Sequence, residues 1–363
     1  MRRPLLAIVL LPLVACATLA DTGGGDVNMP NAAAGPFREI RPIELGNTRV
    51  APYALRDDDD FARDITVVDV DGDPATLPIY AYVARTDFDP DEEPDPSVPP
   101  NEIARHTAVD GRSLARQSDV VLTPVEAWEG DELGAPAALR VGDEVWLYYA
   151  AAAGIGLCTS SDGLGFERVA ATPILAAPTA GWDQGLVPRS PAVVRLPDGT
   201  FQLFYEVATS AEGRAIGEAV SPDGITWERR GDGPLLGPRG ASPDPDFPHV
   251  DAQSAGAPAV VIASSSQGHT IQYVYYAAVG ETGRRTIALA ARYGFDGPLS
   301  RAAAPVFGTT GSLEPTEPWV MRYPDFSLLF VTQKAGTTES LDYPAVAIGV
   351  APADITLPPP DPL

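Results

Sequence analysis

Cysteine is nearly absent from this chain. Among 363 residues only Cys16 and Cys158 carry a thiol. Cys16 lies in a leader-like N-terminal segment, so the body of the chain holds one cysteine. One thiol cannot close an internal bridge, and the fold must stand on packing. Histidine is also scarce. His106, His249 and His269 show no metal-ligand spacing, which excludes a zinc site. Positive charge is the third deficit, with 25 Lys and Arg against 49 Asp and Glu and a formal charge of −24. Such a surface repels phosphate, so nucleic acid and anionic lipid are excluded as partners. No segment keeps a helical period, which excludes a helical solenoid. The apolar run Leu5 to Leu13 is too short to span a bilayer.

Proline (38) and glycine (34) are plentiful, as a turn-rich β protein requires. A short phrase recurs. It reads Ile155-Gly156-Leu157-Cys158-Thr159-Ser160-Ser161-Asp162-Gly163, then Phe166-Glu167-Arg168. It returns as Ile216-Gly217-Glu218-Ala219-Val220-Ser221-Pro222-Asp223-Gly224, then Trp227-Glu228-Arg229. A degenerate copy starts at Ile103, and frayed copies start at Ile287 and Ile348. Asp-Gly between extended residues signals a hairpin, because glycine accepts the positive φ of a tight turn. Upstream of each phrase lies another strand pair, for example Pro191 to Arg195 with Phe201 to Tyr205, and Pro136 to Arg140 with Val145 to Tyr149. The pattern predicts an all-β chain: a five-bladed β-propeller of four-stranded antiparallel blades, with blade tails near residues 103, 155, 216, 287 and 348. Cys158 takes the small-residue slot held by Ala219 and reads as a buried small side chain. Gly163 to Gly165 is a turn, since no helix follows to make it a phosphate loop.

Propellers bind ligands where their innermost strands begin, at the mouth of the central channel. The residues to watch are therefore those just before each inner-strand start: Arg63-Asp64-Ile65, Gly134-Ala135-Pro136, Arg189-Ser190-Pro191, Gly256-Ala257-Pro258 and Thr316-Glu317-Pro318. These inner starts, with outer hairpins of the form Ile-Gly-x-Ala-x-Ser-x-Asp-Gly-x-x-Trp, resemble the five-bladed glycosidase group of arabinanases, xylosidases, fructosidases and mannoside phosphorylases. The similarity covers about residues 50 to 355. It implies a ring of channel carboxylates, one a base or nucleophile and one an acid, because glycoside hydrolysis needs two opposed carboxyls. The fructosidase branch has Arg-Asp-Pro where this chain has Arg189-Ser190-Pro191. Ala135 and Ala257 are equally inert. Asp64 and Glu317 keep acids and are the candidate catalytic pair.

Further acids precede the inner strands, in Trp128-Glu129, Trp182-Asp183 and Val250-Asp251. Two readings fit them. They are structural turns with an aromatic packed between blades, or, with Arg189, they form a sugar-binding rim of Trp faces and carboxylates. The run Asp69-Val70-Asp71-Gly72-Asp73 spaces its carboxylates as a Ca²⁺ ligand set would. It also stands where a hairpin turn belongs, and no glutamate closes the loop near Pro78-Ile79-Tyr80. A plain acidic turn is the first reading, and Ca²⁺ is the one cofactor that sequence leaves open.

The N-terminus carries an export signal. Arg2 and Arg3 precede the apolar run, which ends in Leu13-Val14-Ala15-Cys16 and resembles the bacterial lipobox. The resemblance implies a signal peptide over residues 1–15 and a lipid on the Cys16 sulfur. An ordinary signal peptide cut after Ala20 is the alternative. Ala17 carries no retention signal of the Asp type, which points to the outer membrane in a two-membrane cell envelope. Residues 16–45 read as the lipidated cysteine and a flexible tether, 46–356 as the propeller, and 357–363 as a Pro-rich tail. An acidic, Pro-rich insert, Asp87 to Pro96, reads as a disordered loop. The expected function is an exported, membrane-anchored propeller that binds carbohydrate or a surface protein without the usual hydrolysis. An active hydrolase using Asp64 with Glu317 or Asp251 and a protein-interaction scaffold are the alternatives.

Overall fold

The computed structural model describes residues 18–20, 27–28, 37–39, 53–55, 63–70, 79–86, 98–107, 119–211, 213–264, 268–308, 313–322, 326–335 and 345–352. Residues 1–17, the candidate ligands Asp71 and Asp73, the insert at 87–96 and the tail at 357–363 lie outside them. The described residues are strands and turns without a helix.

The strands form antiparallel sheets arranged as a β-propeller. Sheet I holds Arg63–Asp69, Ile79–Arg85, Glu102–Thr107 and Asp119–Leu122. Sheet II holds Leu133–Val141, Glu144–Ala151, Gly154–Ser160 and Glu167–Arg168, and sheet III holds Arg189–Arg195, Phe201–Ala208, Arg214–Ser221 and Glu228–Arg230. Sheet IV holds Ser254–Ser264, Thr270–Val279, Arg285–Tyr293 and Ser300–Ala302, with Thr18–Ala20 and Val27–Asn28 added at its edge. Sheet V holds Leu313–Arg322, Phe326–Ala335 and Ala345–Pro352, and its outer edge is completed by Arg38–Glu39 and Tyr53–Leu55 from the N-terminal side. The inner strands neighbour one another in chain order, and that of sheet V packs back on that of sheet I. Pairing strands from both ends of the chain in sheet V closes the ring and removes an open edge.

The second strands carry the core. Tyr82, Tyr148, Tyr205, Tyr275 and Phe330 are fully buried between sheets. Each such side chain contributes about 1.5–3 kcal/mol by leaving water. The isoleucines that open the repeated phrase, Ile103, Ile155, Ile216 and Ile287, are likewise buried. Three of them pair with the segment leading to the next sheet, as Ile155 with Leu175, Ile216 with Leu236 and Ile287 with Phe307. Cys158 is buried, and burial pushes its thiol well up.

The Asp-Gly turns are latches between sheets. The Tyr82 hydroxyl donates to the Gly163 carbonyl at 2.8 Å, and the Tyr148 hydroxyl to the Gly224 carbonyl at 3.0 Å. Both glycines have positive φ, 73° and 76°, and a Cβ on either would come within 3 Å of a tyrosine of the preceding sheet. Asp223 accepts the N–H groups of Ile225 and Thr226, which hold its carboxyl at about 2. The repeated phrase is thus an inter-sheet fastener.

Candidate functional site

Among the described residues, five that are not glycine have left-handed backbone: Asp64 (φ 55°), Ala135 (45°), Ser190 (47°), Ala257 (43°) and Glu317 (53°). They are the five inner-strand positions singled out in the sequence, and all five line one cavity. At each the inner strand slips register against its neighbour, as between Arg189 and Ala192 or between Thr316 and Trp319. Such a bulge turns an extra side chain out of the ladder and toward the channel. Pro136, Pro191, Pro258 and Pro318 follow four of the five and lack the N–H that would resume pairing. Each left-handed residue costs on the order of 1–3 kcal/mol. Because Ala135 and Ala257 bear it without carrying any chemistry, the strain belongs to the scaffold.

The ring is braced from sheet to sheet. Ala135 N–H donates to Asp64 Oδ2 at 3.0 Å, so a carboxylate of sheet I holds sheet II. Asp64 N–H donates to Thr332 Oγ1 at 3.0 Å, which joins sheet I to sheet V. Ala257 N–H donates to Glu206 Oε2 at 2.6 Å, which joins sheet IV to sheet III. Glu206 was not among the residues expected from sequence. It sits on the second strand, opposite Arg189. The matching positions of the other sheets are Ala84, Ala150, Ala277 and Thr332. That one acid among small residues was the sequence signal for it, on second strands rather than inner ones. Its carboxylate fills the space above Gly256, where a Cβ would lie 2.5 Å from Oε2. Burial pushes the Glu206 carboxyl above its ordinary range, against the lowering effects of the Ala257 N–H and of Arg214, whose Nε lies 3.2 Å away.

Asp64 and Glu317 therefore share one cavity with each other and with the N-terminal ends of all five inner strands. Arg189, which precedes Ser190 in the chain, is half-exposed and makes a two-pronged ion pair with Glu132. The cavity itself is narrow, about 30 Å³, room for about one or two waters.

The sugar-binding rim is corrected by the positions of its acids. Glu129, Asp183 and Asp251 are buried, each in a clamp with a tyrosine and an arginine. Tyr149 Oη–H donates to Glu129 at 2.6 Å and Arg168 Nε donates at 2.7 Å. Tyr205 and Arg229 hold Asp183 at 2.8 and 2.9 Å. Tyr276 and Arg239 hold Asp251 at 2.8 and 2.7 Å, with Arg301 as a second cation. Burial alone would raise the Glu129 and Asp251 carboxyls, but these partners hold both below the ordinary range. Trp128 stacks on Tyr149 and Trp182 packs on the core beside sheet III. These carboxylates, Asp251 among them, are buried and paired inside the fold and do not line the channel cavity. Of the calcium candidates only Asp69 is described, at the end of its strand. Among the described residues no three His, Cys, Asp or Glu side chains are grouped to hold a metal.

No family model and no curated protein matches the chain. Solved structures do. A thermostable family-43 glycoside hydrolase shares 16% identity at a TM-score of 0.55, covering 81% of this chain and 89% of that one. An endo-arabinase from Bacteroides thetaiotaomicron VPI-5482 shares 13% at 0.55, covering 81% and 94%. A glycosyl hydrolase from Bacteroides ovatus shares 13% at 0.57, covering 89% and 95%. The chain has the glycosidase type of propeller fold. Within that propeller, fold alone does not set activity, because one scaffold carries many sites.

Proposed function

We propose that this chain is a five-bladed propeller of the cell envelope, exported and anchored through a lipid on Cys16, that binds carbohydrate at its channel mouth without hydrolysing it by the two-carboxylate route. One observation carries the reading. Of the five ring positions, Ala135, Ser190 and Ala257 bring no acid, Asp64 braces a neighbouring sheet, and Glu317 is the remaining acid; Glu206, on the second strand, is likewise occupied in bracing. A carboxylate that holds a backbone N–H is poorly placed to take or give the proton that hydrolysis requires. The acceptors left at the mouth suit the hydroxyl groups of a sugar. The channel is too narrow to thread a chain, so a glycan would be held at its opening.

A second reading, an active hydrolase, rests on Glu206. A carboxyl raised by burial, and raised further by the neighbouring Glu317, is how an acid and a base are told apart in one site. One experiment separates the two: a glycan array run beside a hydrolysis screen on arabinan, xylan, fructan and mannan. Binding without turnover is the expected result. Turnover that disappears in Asp64→Asn, Glu206→Gln or Glu317→Gln establishes the hydrolase. No glycan bound at millimolar concentration leaves a protein-interaction scaffold. Membrane fractionation of Cys16→Ser tests the anchor, and unchanged membrane retention would refute it.

A further inference from the structure

The larger cavity lies at the other end of sheet III. It measures about 440 Å³ and opens between sheet III and the turn that follows the third strand of sheet IV. Its walls include Trp227, just before the outer strand, Glu228 and Arg230 of that strand, Asp198 of the inner hairpin, and Phe295 of the sheet IV turn, over a floor at Gln202. The inner strand Arg189–Arg195 begins at the channel mouth and ends at this cavity, so the two sites lie on opposite faces of the propeller.

The cavity is particular to one junction. Gln202 stands opposite Val194, where the other second strands place Tyr80, Trp146, Tyr273 and Leu328. Between sheets II and III that slot is filled, because Trp146 stacks on Phe201 at 5.6 Å with their planes 1° apart. Between sheets III and IV the slot holds a shorter amide whose groups are all turned inward. Gln202 Nε2 donates to the Phe295 carbonyl at 2.8 Å and to Glu218, and its Oε1 accepts from Gln272 Nε2 at 2.7 Å. Arg292 completes the network, donating to Glu218 at 2.8 Å, to Gln272 at 2.8 Å and to the Gly297 carbonyl at 2.8 Å. Gln202, Glu218, Gln272 and Arg292 are all buried. A fully paired network of this kind holds the Phe295 to Gly297 turn off the sheet, so the opening is built in rather than left by loose packing. Arg230 and Asp296 form an ion pair across its rim.

We propose that this cavity is a second binding site, for a short uncharged saccharide. Its volume is that of a small-ligand pocket. Trp227 and Phe295 offer half-buried ring faces for C–H surfaces. Three carboxylates, Asp198, Glu228 and Asp296, face one guanidinium that is already paired, so the lining repels anions and offers acceptors to hydroxyl donors. The site is independent of the channel mouth and does not require the channel reading to hold.

The test is calorimetric titration of the full chain with xylotriose, arabinotriose and mannotriose, and with spermidine as a cationic comparison. The expected result is binding of at least one trisaccharide that weakens about tenfold or more in Asp198→Asn/Glu228→Gln and in Trp227→Ala, the loss of one or two charged hydrogen bonds or a stacking face. Asp143→Asn, on an exposed turn of sheet II outside both cavities, leaves that binding unchanged. The double variant changes only exposed side chains, so it reports even if Trp227→Ala, which also packs on Tyr148, fails to fold. The proposal is overturned if no trisaccharide binds, if binding disappears in Glu317→Gln but survives the pocket variants, or if spermidine binds and the sugars do not.

Discussion

Sheets II and III are two copies of one design that part company at two positions. Both have a buried carboxylate held by a tyrosine and an arginine, Glu129 with Tyr149 and Arg168 in one, Asp183 with Tyr205 and Arg229 in the other. Both end in a Ser-x-Asp-Gly turn latched to the sheet before. On the second strand, however, Trp146 of sheet II is replaced by Gln202, and Ala150 by Glu206. One change opens a cavity on one face, and the other sets a carboxylate against the backbone of the channel ring at the opposite face. The repeat keeps what fastens sheet to sheet. It varies the two ends of a strand, where a side chain can change without unpairing the ladder.

The largest effect should come from breaking the shared fastening. Arg168→Ala and Arg229→Ala each leave a buried carboxylate without its cation, and each should cost about 3–5 kcal/mol in denaturant unfolding. Equal losses support one design in both sheets, and a loss in only one would break the comparison. Next come the turns. Gly224→Ala meets Trp146 and Tyr148 as well as an unfavourable φ, and should cost about 2–4 kcal/mol. Gly294→Ala has the same φ problem but open space, and should cost about 1 kcal/mol. Similar costs at both would mean the latch contributes nothing.

At the divergent positions the effects are smaller. Gln202→Leu strands the Phe295 carbonyl and the Gln272 amide, and should cost about 1–3 kcal/mol. Trp146→Gln in sheet II lacks a waiting network, so it should open a void there without making a paired floor. A crystal structure showing the same network in that variant would remove sheet III's special status.

The smallest effects lie in pH dependence, and their signs oppose. The Glu206 carboxyl is raised by burial in the folded state, so its contribution is full below the ordinary glutamate range and is lost as pH rises. Glu206→Gln should therefore gain stability relative to the parent as pH rises above the ordinary glutamate range. Glu129 and Asp251 are held low by their cations, so their contribution is full at neutral pH and is lost as pH falls through their folded values. Melting curves across acid pH for Glu206→Gln and for the parent check both signs. A Glu206→Gln gain that shrinks with rising pH would contradict the burial of that carboxylate.

Much of the architecture was legible without coordinates. Turn chemistry and strand alternation are local, so the repeated phrase revealed all-β sheets and the inner-strand starts. Those starts are where five left-handed residues converge on one cavity. What local patterning could not reveal was which acids are free. Glu129, Asp183 and Asp251 look like a binding rim in the sequence because their arginine and tyrosine partners lie 20 or more residues away in two of the three clamps. Glu206 was passed over because it belongs to the second strand and meets the channel ring, at the Ala257 N–H, only across a sheet junction.

The sequence by itself determined the strands and their turns, because glycine, proline and alternation act within a few residues. Only the tertiary structure decided which carboxylates are spent on holding sheets together, which face the channel, and where a missing tryptophan leaves a cavity. Those outcomes depend on distances between strands that the chain brings together only when the ring closes.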